Sequence, residues 1–129
     1  MLEKYKETFD RISAIEQEFI NRCHQHPSAI NDVMLELAGL YTYLNEEKTL
    51  LDVEKFKKSS QLKDDYISSQ MAGVKISKAS IDEKIDIELS ELVIDIMTLE
   101  GKLQNCDKLI SVCQSSLKSI QREGRLPNY

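Results

Sequence analysis

The chain has 129 residues, 41% hydrophobic and 30% charged, with a net charge of −5, a balance ordinary for one soluble domain. No Trp, only two Pro and four Gly, together with abundant Glu, Lys, Leu, Ile and Ser, describe long helices and exclude a compact mixed fold. The start, Met1-Leu2-Glu3-Lys4-Tyr5-Lys6-Glu7, is charged at once, and no stretch approaches the ~18 apolar residues of a membrane span. A cytoplasmic protein with no membrane partner is therefore expected.

Helix one is expected over about residues 2–25. Its stripe runs through Leu2, Tyr5, Phe9, Ile12, Glu16, Phe19 and Cys23, with Ile15 beside the charged interruption. It should stop near His26-Pro27, because a residue before proline is pushed out of the helical region. Ser28 is then placed to cap helix two, expected over about 29–69. That helix opens with Ile30, Val33, Met34, Leu37, Leu40, Tyr41 and Leu44 on one face. It continues more thinly through Leu51, Phe56, Leu62, Tyr66 and Ile67, and the heptad extension lands on Lys48, Lys55 and Lys58.

A break follows at Ser68-Ser69-Gln70-Met71-Ala72-Gly73, giving a linker over 70–80. Ser80-Ile81-Asp82-Glu83 fits a capping box and sets acids in the first turn, where the helix dipole favours them. Helix three then spans about 81–123, closing with Lys118, Arg122 and Gly124 before a short tail. Along it, apolar residues alternate at spacings of four and three without a miss: Ile85, Leu89, Leu92, Ile96, Leu99, Leu103, Cys106, Ile110, Cys113, Leu117 and Ile120. A strict seven-residue repeat of this kind keeps one stripe against a partner helix, which makes it a coiled-coil seam.

The expected architecture is all-α: a long antiparallel helical hairpin, ~60 Å from end to end, plus the N-terminal helix. Charge supports the antiparallel arrangement. Residues 55–80 hold six Lys and two acids, whereas residues 81–107 hold two Lys and eight acids, and an antiparallel hairpin sets these blocks side by side. Ile81, Val93, Met97 and Leu109 add apolar surface beside the seam that the distal half of helix two cannot cover. Exposed apolar stripes mark interfaces, so a homo-oligomer is expected.

Little in the sequence carries catalytic chemistry. Cys23, Cys106 and Cys113 are an odd number without an export signal, which argues against a disulfide framework and for small buried hydrophobes. Cys23-His24-Gln25-His26 contains metal-type residues, but no second cluster completes a site. Asp82, Glu83, Asp86, Glu88, Glu91 and Asp95 read as a solvated helix face. With no phosphate loop, nucleophile elbow or zincin motif, the expectation is a non-enzyme with no metal and no cofactor.

The basic block is more informative. Lys55, Lys57, Lys58, Lys63, Lys75 and Lys78 are interleaved with Phe56 and Tyr66, and lysines that attract phosphates beside aromatics that stack on bases form a single-strand-binding surface. Acids of helix three offer the competing use of these lysines, as cross-helix ion pairs.

Asn31-Asp32-Val33-Met34-Leu35, the Lys-rich stretch with Leu62-Lys63 before Tyr66, the Ser- and acid-rich entry to helix three, and Leu109 to Ile120 ending in Lys118-Ser119-Ile120-Gln121-Arg122 together resemble UvsY, the recombination mediator family of T-even-like phages. The likeness covers residues 28–124. It implies a homo-oligomer that binds single-stranded DNA and helps a RecA-like recombinase replace the single-strand binding protein. It also implies DNA contacts at Lys57, Lys58 and Lys63, with Lys55 added from charge. Asp64 and Asp65 depart from the more basic and apolar family pattern.

The leading expectation is thus a cofactor-free mediator of phage recombination and repair. Lys55, Lys57, Lys58 and Lys63 contact phosphates, Phe56 or Tyr66 stacks on bases, and the seam holds the assembly. The alternative is a helical adaptor, chaperone, inhibitor or virion assembly protein that binds another protein through its apolar stripe.

Overall fold

The computed structural model describes residues 2–19, 26–71, 73 and 77–122. Every element among them is helical: a 3-10 turn at Leu2–Tyr5, then α1 (Lys6–Glu18), α2 (Pro27–Met71), α3 (Lys78–Glu88) and α4 (Ser90–Arg122). The all-α class stands. The ends of the helices differ in detail from the expectation, each for a local reason.

Helix α2 begins on Pro27 itself and does not use Ser28 as its cap. The His26 carbonyl accepts the amide of Ile30 at 3.0 Å, and proline suits the first helical position because its missing N–H has no partner there anyway. The other end of α2 is a glycine stop. Gly73 has φ +97°, and its amide donates to the Gln70 carbonyl at 3.1 Å, satisfying a carbonyl that the helix end leaves free.

The next helix starts three residues earlier than the Ser80 capping box implies. Ser77 is the cap: its hydroxyl accepts the Ser80 amide at 3.1 Å, and α3 begins at Lys78. The single helix expected over 81–123 is divided at Leu89, where φ −91° and ψ −1° depart from ideal helix values. The Ser90 hydroxyl donates to the Ile87 carbonyl at 2.8 Å, and such back-bonding bends helices. The break does not displace the seam, since Leu89 stays buried and its carbonyl accepts the Val93 amide at 2.9 Å. Cys23, Gly124 and residues 125–129 lie outside the described residues.

The chain divides into two compact units, Met1–Asn45 with Glu100–Tyr129, and Glu46–Leu99. In the first, buried side chains come from three helical segments: Tyr5, Ile12, Ile15 and Phe19; Ile30, Leu37 and Leu44 of α2; and Leu103, Cys106, Cys113 and Ile120 of α4. Fully burying one such aliphatic side chain stabilises the fold by about 1.5–3 kcal/mol. The inward stripe of α1 passes through Ile15, leaving Glu16 in solvent, so the repeat steps 5, 12, 15, 19 and avoids the charge. Tyr5 meets Tyr43 edge-on with ring centroids 6.4 Å apart, and Lys102 lies 5.1 Å from the centroid of Phe9. Tyr5 with Tyr43 and Arg11 with Glu36 pair in opposite chain order, so α1 runs antiparallel to this part of α2.

In the second unit Ile85, Leu89, Leu92 and Ile96 form a buried row, and Leu51, Leu62, Tyr66, Ile81 and Val93 pack against it. Ile81 and Val93, expected as surplus apolar surface, therefore belong to this core. Glu47 and Asp95 are its buried acids. Among the described residues no buried side-chain polar atom lacks a partner.

Candidate nucleic-acid and assembly surfaces

Lys55, Lys57, Lys58 and Lys63 lie within α2, in the Glu46–Leu99 unit. No proline or internal glycine interrupts the helix there, and long side chains of Lys, Glu and Gln keep most of their freedom in a helix. Lys55, Lys57, Lys58 and Lys63 are all exposed. At roughly 100° per residue they wrap the helix and do not share one face. Lys55 and Lys58 stand together on one flank, and Lys63 shares a side with Phe56, about 10 Å further along the axis. Lys75 lies outside the described residues, and Lys78 opens α3.

Among the described residues no acid of α3 or α4 forms an ion pair with Lys55, Lys57, Lys58 or Lys63. Lys58 pairs within its own helix, with Glu54 at 3.0 Å, an exposed pair of the kind worth ~0–1 kcal/mol. Among the described residues Lys55, Lys57 and Lys63 make no ion pair. Lys58, Gln61, Leu62, Glu88 and Leu89 line a groove of about 300 Å³.

The two aromatics differ sharply. Phe56 is 73% exposed. Tyr66 is half-buried and packs on the Ile85–Ile96 row. Lys84 reaches to 5.8 Å from its ring centroid, and its hydroxyl donates a long hydrogen bond, 3.4 Å, to Glu88 Oε1. Burial and the neighbouring Glu88 carboxylate push the Tyr66 phenol above its ordinary pKa. Its ring is thus committed to joining α2 to α3, and Phe56 is the aromatic left open to a ligand.

Seam positions Ile85, Leu89, Leu92, Ile96 and Leu99 are buried in one unit; Leu103, Cys106, Cys113 and Ile120 are buried in the other, where Ile110 and Leu117 are half-buried. Burial pushes the Cys106 thiol up, which suits an inert packing residue more than a nucleophile. Among the described residues no group of three His, Cys, Asp or Glu is arranged to hold a metal ion; Cys23, His24 and Gln25 lie outside them. No helix among the described residues is long and apolar enough to cross a membrane.

Sequence reasoning named Met97 as surplus apolar surface and Ile67 as part of the thin α2 stripe, but missed the rest of an outward apolar set. Ile87, Ile94 and Met97 are 65%, 59% and 62% exposed, and on α2 Leu50, Val53, Ile67 and Met71 are exposed as well. The signal was present, since Ile87 and Ile94 are seven residues apart and Met97 follows at three, a second heptad stripe overshadowed by the longer seam. Comparison of the chain with protein-family models, with curated proteins and with solved structures returns no match.

Proposed function

We propose that the chain is a non-enzymatic recombination mediator that binds single-stranded DNA as a homo-oligomer and helps a RecA-like recombinase displace the single-strand binding protein. The observation that carries the DNA-binding part is the distal half of α2, where Lys55, Lys57 and Lys63 are exposed with no ion pair among the described residues, beside an open Phe56. Lysines left in solvent are available to phosphates, and releasing their counterions supplies the affinity. Phe56 gives a base a flat apolar surface, while Tyr66 serves the fold. The recombinase and single-strand binding protein enter through the resemblance to UvsY.

The net charge of −5 opposes non-specific attraction to DNA, so each chain supplies only a modest patch. Several chains along one strand raise the affinity by multivalency. In this reading the helices form a long antiparallel coiled-coil hairpin, and the seam from Ile85 to Ile120 holds it.

The test is fluorescence anisotropy of a labelled single-stranded oligonucleotide between about 50 and 200 mM salt. Binding that weakens steeply with salt supports the proposal. Lys55→Gln with Lys58→Gln should lower the log–log salt slope by about 1 per lysine that touches a phosphate. No binding at the lowest salt would overturn the DNA reading.

The exposed apolar residues favour one rival, a helical adaptor that binds a different protein. Retention of a single protein partner at high salt after nuclease treatment, by a chain that ignores the oligonucleotide, would put that reading first.

A further inference from the structure

Helices α3 and α4 turn one line of apolar residues into the core of the Glu46–Leu99 unit and carry a second line on the opposite side. Ile85, Leu92 and Ile96 are buried, whereas Ile87, Ile94 and Met97 are exposed, on the far side of the helix as ~100° per residue requires. With Ile87 and Ile94 at the first position of successive heptads, Ser90 and Met97 take the fourth, so the outward line has the pattern of a short second seam, about 15 Å long. Ser90 brings no unmet donor to it, because its hydroxyl already donates to the Ile87 carbonyl at 2.8 Å.

In that register Asp86 and Glu91 take the two positions that flank a seam, where charge selects the partner, and Glu83 stands at its N-terminal end. All three are exposed, and none has an ion-pair partner among the described residues. Lys84 is the only cation between Lys78 and Lys102. It reaches to 5.8 Å from the Tyr66 ring centroid, and Lys102 lies 5.1 Å from that of Phe9. Even with Lys84 counted, the border of the face is acidic.

A second copy of the chain does not complement this face. Parallel pairing of the face with itself sets Asp86 against Glu91 of the copy, because flanking residues five apart meet across a parallel seam. Antiparallel pairing with Ile87 over Ile94 of the copy brings the two Glu91 side chains together. Such like-charge contacts cost affinity. The outward side of α2 mixes Glu46 and Asp64 with Lys57 and Lys63 and offers no net opposite charge. Phosphates of a nucleic acid are repelled by the same carboxylates.

We infer that the outward α3–α4 face docks an amphipathic helix of a different protein, one with apolar residues along its seam and lysine or arginine at the flanking positions that meet Asp86 and Glu91. The face shares no residue with the lysines and Phe56 assigned to DNA, all of which lie on α2. The inference goes beyond the DNA reading and does not depend on it.

The test is fluorescence anisotropy of the full chain with two labelled three-heptad peptides, both with leucine at the seam positions, one with lysine and the other with glutamate at the flanking positions. The parent should bind the lysine peptide and ignore the glutamate peptide. Ile94→Gln should weaken the lysine peptide by about tenfold, and Asp86→Lys with Glu91→Lys should reverse the preference between the two. Helicity is checked by circular dichroism, and Met97→Gln replaces Ile94→Gln if that variant unfolds. A parent that binds neither peptide or both alike, or a charge-reversed variant that keeps the parent's preference, would overturn the inference. So would a change in the light-scattering mass of the protein alone on Ile94→Gln, which would make the occupant a second copy. No DNA is present, so failure here is distinct from failure to bind an oligonucleotide.

Discussion

Arg11 of α1 and Glu36 of α2 hold each other through two parallel hydrogen bonds, Nε donating to Oε2 and Nη2 donating to Oε1, the second 2.6 Å long. This two-point grip fixes the pairing of α1 with α2 more tightly than a single lysine contact would. The hydrogen bonds from Arg11, with its nearby charge, hold the Glu36 carboxyl below the usual carboxylate range. Because the folded-state value is the lower one, the stabilisation is present above the unfolded carboxylate value and is lost as pH falls through the folded one. Glu36→Gln should therefore cost about 0.2–1 kcal/mol near neutral pH, the partly exposed site being screened by solvent. In strong acid the two proteins should converge, which urea denaturation at both pH values checks.

Leu35 and Leu37 stand two residues apart on α2 with opposite fates, 73% and 0% exposed. Leu37→Ala should destabilise by about 2–5 kcal/mol through lost burial and a cavity, whereas Leu35→Ala should stay within about 0.5 kcal/mol of the parent. Thermal unfolding of both variants followed by helical circular dichroism measures the contrast.

Two glycines give opposite predictions. Gly101 lies inside α4, where an added Cβ would meet nothing within 4 Å, so Gly101→Ala should stabilise by about 0.5–1 kcal/mol. Gly73 is in the left-handed region at φ +97°, where alanine costs about 1–2 kcal/mol. Midpoints of denaturant unfolding should therefore move up for the first and down for the second.

Cys106 and Cys113 are fully buried, and burial raises the Cys106 thiol. Thiolate is the reactive form, so both should resist alkylation in the folded protein and react promptly in denaturant. Peptide mapping of alkylated sites before and after unfolding tests this, and rapid modification of Cys106 under native conditions would contradict the packing described.

Much of this was legible in the residue order because the seam from Ile85 to Ile120 repeats strictly enough to specify one buried line, whatever the helix packs against. The break at Leu89 was not, since it comes from a hydroxyl bond between Ser90 and Ile87 that no periodicity records. Helix starts were shifted for a similar reason: Ser77 and Ser80 both fit a cap, and backbone geometry chose Ser77. For the candidate site, the lysines could be found by charge alone. Their lack of cross-helix partners, and the division of labour between open Phe56 and engaged Tyr66, depend on how α2 turns toward α3 and α4 and needed coordinates.

In the proposed function an assembly of these chains, and not a lone chain, carries single-stranded DNA on the distal half of α2. Sedimentation velocity of the protein with a labelled single-stranded oligonucleotide at low salt, reading protein and label at separate wavelengths, tests it directly. The label should co-sediment with a species containing several chains, and Lys55→Gln with Lys58→Gln should reduce the bound label while the protein boundary keeps its position. Label that sediments as free DNA in the presence of excess protein would contradict it.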